Sequence, residues 1–121
     1  MIPTFEDVEA AHRFLARRHG VSGQLHEQGV RGALELARSL AASPRDEPAA
    51  VFYALSRYPR ALGGLARALP VMIALNLARA TGHPIHATAA ELRAFFVPLA
   101  ARELSYEDVR GWFNDRAREP G

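Results

Sequence analysis

Tyr58-Pro59-Arg60-Ala61-Leu62-Gly63-Gly64-Leu65-Ala66, followed by Arg67-Ala68-Leu69-Pro70-Val71-Met72-Ile73-Ala74-Leu75-Asn76-Leu77, is the stretch that sets the fold class. A helix ends at Tyr58-Pro59, two glycines turn the chain, and a long apolar segment leaves the turn. Leu65, Leu69, Val71, Met72, Ile73, Leu75 and Leu77 lie at too many angles round a helix to leave a polar face. The spacing therefore predicts a central, buried helix over 62–81. Pro70 inside it should kink the helix or split off its first turns. Asn76, on a buried helix, would need a polar partner.

Five more helices read outward from that one, and no strand pattern appears. Thr4 caps the first, with Asp7 three residues on and a stripe of Phe5, Val8, Ala11, His12 and Leu15; Gly20 closes it. The second runs over about 24–42 with Leu34, Ala37, Leu40 and Ala41 inward. The third, about 48–57, carries Val51, Phe52 and Leu55 after a turn at Ser43-Pro44. Thr88, with Glu91 at N3, caps the fifth, which Pro98 should bend near its end. Ser105, with Asp108 at N3, caps the sixth, placing Val109, Trp112 and Phe113 inward. The tail from Arg116 to Gly121 reads as loose. The expectation is one all-α, single-domain bundle of about six helices spanning 1–121.

The composition narrows the function. At 121 residues the chain has one modest core, and 49% hydrophobic residues suffice to fill it. All fifteen basic residues are arginine, against thirteen acids, for a net charge of +2. Positive charge is not gathered on one face; Arg13, Arg17 and Arg18 form the one tight group, near Glu6, Asp7 and Glu9. That pattern argues against a nucleic-acid partner. Without lysine there is no Schiff-base chemistry, and without cysteine no thiolate or disulfide chemistry. No apolar run reaches the ~18 residues of a membrane span. The acidic start resembles no signal peptide, so the reading is a cytoplasmic protein.

The 58–66 segment resembles the catalytic loop of the Fic/Doc family, which reads His-Pro-Phe-x-Asp-Gly-Asn-Lys-Arg. The resemblance extends over roughly 4–116. Glu6-Asp7-Val8 with His12 is similar to the start of a Doc-like domain. Gly23-Gln24-Leu25-His26-Glu27 with Ala33-Leu34 sits where such proteins read Gly-x-Arg-Asp-Glu and Ser-Ala-Leu. Ala49-Ala50 to Pro59 resembles the helix entering the motif, and Ala100-Ala101-Arg102-Glu103-Leu104-Ser105 the hinge before the last helix. The likeness implies a Fic/Doc-like fold and, in active members, transfer of AMP or phosphate to a protein hydroxyl.

By position, however, the motif here is degenerate. Tyr58 replaces the histidine base, and a phenol titrating near ~10 is a poor base at neutral pH. Arg60 replaces the anchoring phenylalanine and Leu62 the metal-binding acid. Gly64, Leu65 and Ala66 replace the asparagine, lysine and arginine. Pro59 and Gly63 remain. The resemblance thus implies a binding or regulatory pseudoenzyme, related to toxin–antitoxin proteins and using the groove between the second, third and fourth helices. The ligand would be a partner protein or a small anionic or apolar molecule, with no cofactor. The alternative is an enzyme of different chemistry, in small-molecule biosynthesis for example, with Tyr58 and His12 as catalytic groups.

Gly63 and Gly64 would offer backbone N–H groups to an anion at the start of the fourth helix, bracketed by Arg57, Arg60 and Arg67. The competing reading is a plain tight turn with solvated arginines. His12 on the first helix's inner stripe suits a hydrogen-bonded core position or a titrating group. His83 and His86 lack a third local ligand and read as loop residues, not a metal site. Tyr53 and Tyr58, five apart, do not share a face. Glu35, Glu47 and Glu103 have no paired carboxylate nearby in sequence.

Overall fold

The computed structural model describes residues 1–117; residues 118–121, most of the tail expected to be loose, lie outside that range. Seven α-helices fill the described residues. They are α1 (Phe5–His19), α2 (Glu27–Leu40), α3 (Glu47–Ser56), α4 (Ala68–Ala80), α5 (Ala89–Arg93), α6 (Phe96–Ala100) and α7 (Tyr106–Arg116). Short 3-10 turns at Pro44–Asp46 and Pro59–Ala61 flank α3. The β pairing among the described residues is confined to two isolated bridges, Leu25 with Leu62 and Ile85 with Ala117. The architecture is the predicted all-α bundle, with the fifth expected helix broken in two. No helix among the described residues is long and apolar enough to cross a membrane.

Helix starts follow local chemistry. Thr4, Thr88 and Ser105 each form a complete capping box, with Asp7, Glu91 and Asp108 reaching back to the cap backbone. α2 starts later than residue 24 because Leu25 is extended and bridged to Leu62. His26 caps α2 instead, its Nδ1 accepting from the Gly29 amide at 3.2 Å.

The central helix is α3, not α4 as the apolar run suggested. Every residue from Pro48 to Ser56 is buried, because no charged side chain occurs in that interval. α2, α4 and α7 pack around it. Val51 and Leu55 join a cluster with Val8, Val30, Leu34, Leu62 and Leu69. Phe52 and Tyr53 join a second with Val71, Leu92, Leu99, Val109 and Phe113. One short helix therefore supplies both halves of the core, and the rings of Phe52, Phe95, Trp112 and Phe113 meet edge-on or tilted within the second.

Both interior prolines act by moving a helix boundary. α4 begins at Ala68, so Pro70 sits in its first turn, where a missing N–H costs no hydrogen bond. Of the two effects expected of Pro70, a kink or the loss of the first turns, the second is seen: residues 62–67 lie outside the α-helix. Met72, Leu75 and Leu77 are only partly covered, and Asn76 is exposed, so it does not need the buried polar partner expected for it. Pro98 would clash with the carbonyl of Ala94, and there the chain breaks between α5 and α6. At the far end Arg116 is held, since its carbonyl accepts from the His86 amide at 2.9 Å and its guanidinium lies 4.1 Å from the Trp112 ring centre.

A half-buried ion pair ties α7 to the start of α3: Arg110 Nε lies 3.0 Å from Asp46 Oδ1, with Asp46 almost fully covered. Beside it the Tyr106 hydroxyl is buried without a hydrogen-bond partner among the described residues. Burial, and then the Asp46 charge, push that phenol up to about 12, with Arg110 opposing. A folded value above the unfolded ~10 means stability that is full below pH 10 and lost as pH rises through 12. Urea midpoints should therefore fall between pH 10 and 12, and Tyr106→Phe should flatten that fall. At pH 7 the same substitution removes an unpaired hydroxyl and should leave stability unchanged or slightly raised.

Candidate functional site

The site is built where α3 runs out. Past Ser56, the Arg57 amide still bonds the Tyr53 and Ala54 carbonyls, and Tyr58 then leaves the helical region at φ −122°. Pro59 pre-sets the following 3-10 turn, closed by the Ala61 amide on the Tyr58 carbonyl. Ala61 in turn accepts from the His26 amide at 3.0 Å. Gly29 lets α2 come down on this turn: a Cβ there would lie 2.7 Å from that of Ala61. The end of α6 forms the opposite wall through Ala100 and Arg102.

Between these three walls is an open cleft of about 630 Å³, a size suited to a small organic ligand. Its charged lining is Arg57, Arg60 and Arg102, with no carboxylate among the lining residues. Arg57 donates to the Tyr53 hydroxyl and lies over the Tyr53 ring at 5.3 Å, so its direction is fixed. Arg60 and Arg102 are exposed and make no ion pair among the described residues. Tyr58 is 37% exposed and presents its phenol to the same space. Because His26 Nδ1 accepts from Gly29, the neutral imidazole carries its proton on Nε2. The cleft is thus a ring of donors, and its one imidazole has its basic nitrogen occupied.

Arg57, Tyr58 and Arg60 therefore come together as the sequence suggests, but the other named residues do not join them. His12 is buried on the far side of the glycine turn, where Nε2 donates to the Gly63 carbonyl at 3.2 Å. It lines a separate cavity of about 580 Å³ with Glu9, Arg13, Arg17 and Gln24. Gly63 and Gly64 do not open a helix, since α4 begins at Ala68. Leu62 and Leu65 are core residues that draw the turn inward, leaving Gly63 buried and Gly64 on the surface. Of the two readings of this segment, an anion loop at a helix start and a tight turn, the structure has the turn. Arg67 points elsewhere, its guanidinium 4.8 Å from the Phe96 ring centre.

His26 and Arg102 were missed. His26 carried a signal, as a polar residue three before Gly29 at a helix start. Arg102 carried none that spacing could read. Elsewhere, His83 keeps a buried Nδ1 without a partner among the described residues, and the His86 backbone amide donates to the Arg116 carbonyl. Among the described residues no group of three His, Asp or Glu side chains could hold a metal ion.

The glycine turn makes its own prediction. Gly63 has φ +57°, and a Cβ there would meet His12 Nε2 and the Gln24 backbone. Gly63→Ala should cost roughly 2 kcal/mol or more, from the left-handed conformation and that collision. His12→Ala, which strands a buried carbonyl, should cost about 1–3 kcal/mol. In urea unfolding the double variant should lose less than the sum, because both changes break one contact.

Comparison with protein-family models, curated proteins and solved structures finds no match to this chain, so the chemistry of the cleft is read from its own side chains.

Proposed function

We propose that this protein is a binding or regulatory module of degenerate Fic/Doc-like type, whose ligand is a small anion held in the cleft around Arg57, Tyr58 and Arg60. The observation that carries the reading is the convergence of Arg57 and Arg60, from the loop after α3, with Arg102, from the end of α6, on a cleft with no acidic residue in its lining. Uncompensated like charges repel, and an anion relieves that repulsion while using donors already in place.

A second observation favours binding over group transfer. Leu62 stands where an active loop of that family would carry its metal-binding acid, and it is fully buried in the core. Leu65, at the lysine position, is 5% exposed. The positions of the metal-binding acid and of the lysine are thus occupied by packing residues. The stretch that faces solvent, Tyr58-Pro59-Arg60, keeps a cleft.

Titration of the whole protein with inorganic phosphate, phenyl phosphate and benzoate at low salt tests this. At least one should raise the melting temperature in a concentration-dependent way. Arg60→Ala should weaken that binding about tenfold or more, the usual scale for a charge-assisted hydrogen bond. Arg13→Ala, on α1 beside the other cavity, should leave it unchanged. No response to any of the three by wild type would overturn the proposal.

A further inference from the structure

The described residues hold five left-handed backbone positions. Glycine occupies four of them, Gly20, Gly63, Gly64 and Gly82; the fifth is Arg102, at φ 60°. Arg102 sits directly after the α6 cap residue, Ala101. Its amide bonds the Leu99 carbonyl at 3.1 Å, and the Glu103 amide bonds that of Pro98. This paired pattern is the helix-ending motif whose left-handed position is ordinarily glycine, because a Cβ is strained there. The chain thus accepts backbone strain at the one such position from which a side chain reaches the cleft. Strain retained at a wall of a binding site points to a side chain kept for its ligand.

The donor set indicates which ligand. A carboxylate carries one charge and about four lone-pair sites, whereas three guanidiniums with a phenol and an imidazole N–H offer more charge and more donors than it can use. A phosphoryl group brings three terminal oxygens and nearly two negative charges at neutral pH. The cleft, at about 630 Å³, is much larger than a bare phosphate ion, and Pro59, Ala61 and Ala100 give it apolar wall. Resting on the anion-binding reading above, we infer that the ligand is a phosphate monoester of a small organic group, and that Arg102 is the residue that selects the dianion.

This predicts opposite effects of one substitution. Arg102→Gly should relieve the strained position and raise the melting temperature of the free protein by about 2–4 °C. It should also weaken phenyl phosphate binding at least tenfold at pH 8 while changing benzoate binding little. Wild type should bind phenyl phosphate at least tenfold more tightly than benzoate. Arg102→Asn, which tolerates the left-handed region without the charge, should show the same loss of binding and so separates ligand contact from backbone effects. Equal affinity of wild type for the two anions, or phenyl phosphate binding unchanged in Arg102→Gly, would overturn this inference and leave the anion-binding reading standing. Failure of wild type to bind either phenyl phosphate or benzoate, or inorganic phosphate, would overturn both.

Discussion

A helix with no charged side chain from its second residue to its last must be covered on every side, and α3 imposes that requirement on the whole molecule. Its ten residues span about 15 Å, short enough for one layer of helices to enclose. α2 and α4 flank it, α7 closes it, and α1 seals the cluster formed with α2 and α4. The remaining elements are positioned by this task. Even the ion pair of Arg110 with Asp46 lies at the entrance to α3, where the chain changes from solvated turn to buried helix.

The cleft follows from where that enclosure ends. After Ser56 the chain has to leave the core, and the next residues, Arg57, Tyr58, Pro59 and Arg60, are partly or fully exposed. Leu62 and Leu65 then pull it straight back in. A short outward loop bounded by two buried segments leaves a hollow between the neighbouring helix ends. The N-terminus of α2 and the C-terminus of α6 border it, and each contributes the polar group found at its terminus. The site is thus made of boundaries, where side chains can be polar without disturbing the packing that holds them.

The glycine turn shows how one sequence feature can serve either of two physical ends. Paired glycines before an apolar segment suit a phosphate loop when a helix starts at once. Here the two leucines flanking the glycines are buried, each stabilising the fold by about 1.5–3 kcal/mol relative to exposure, and this packing shapes the segment as a turn. Pro70 adds to the bias by placing the helix start at Ala68, where its ring meets no preceding turn. Gly63 then gives its carbonyl to His12, tying α1 to the turn, and the segment becomes an internal joint.

By itself the sequence determined the helical class, the caps at Thr4, Thr88 and Ser105, the glycine stop after α1, and the grouping of Arg57, Tyr58 and Arg60. These depend on neighbours within four residues, which local hydrogen bonding and helical periodicity control. Only the tertiary structure decided which apolar helix is central, because burial depends on what the other helices leave uncovered. It alone paired Arg110 with Asp46 across 64 residues and brought Arg102 into the lining of the same cleft as Arg60. It also sent His12 to the far side of the glycine turn. Such contacts join residues remote in the chain, and their energy is set by packing and charge in three dimensions, which no local pattern encodes.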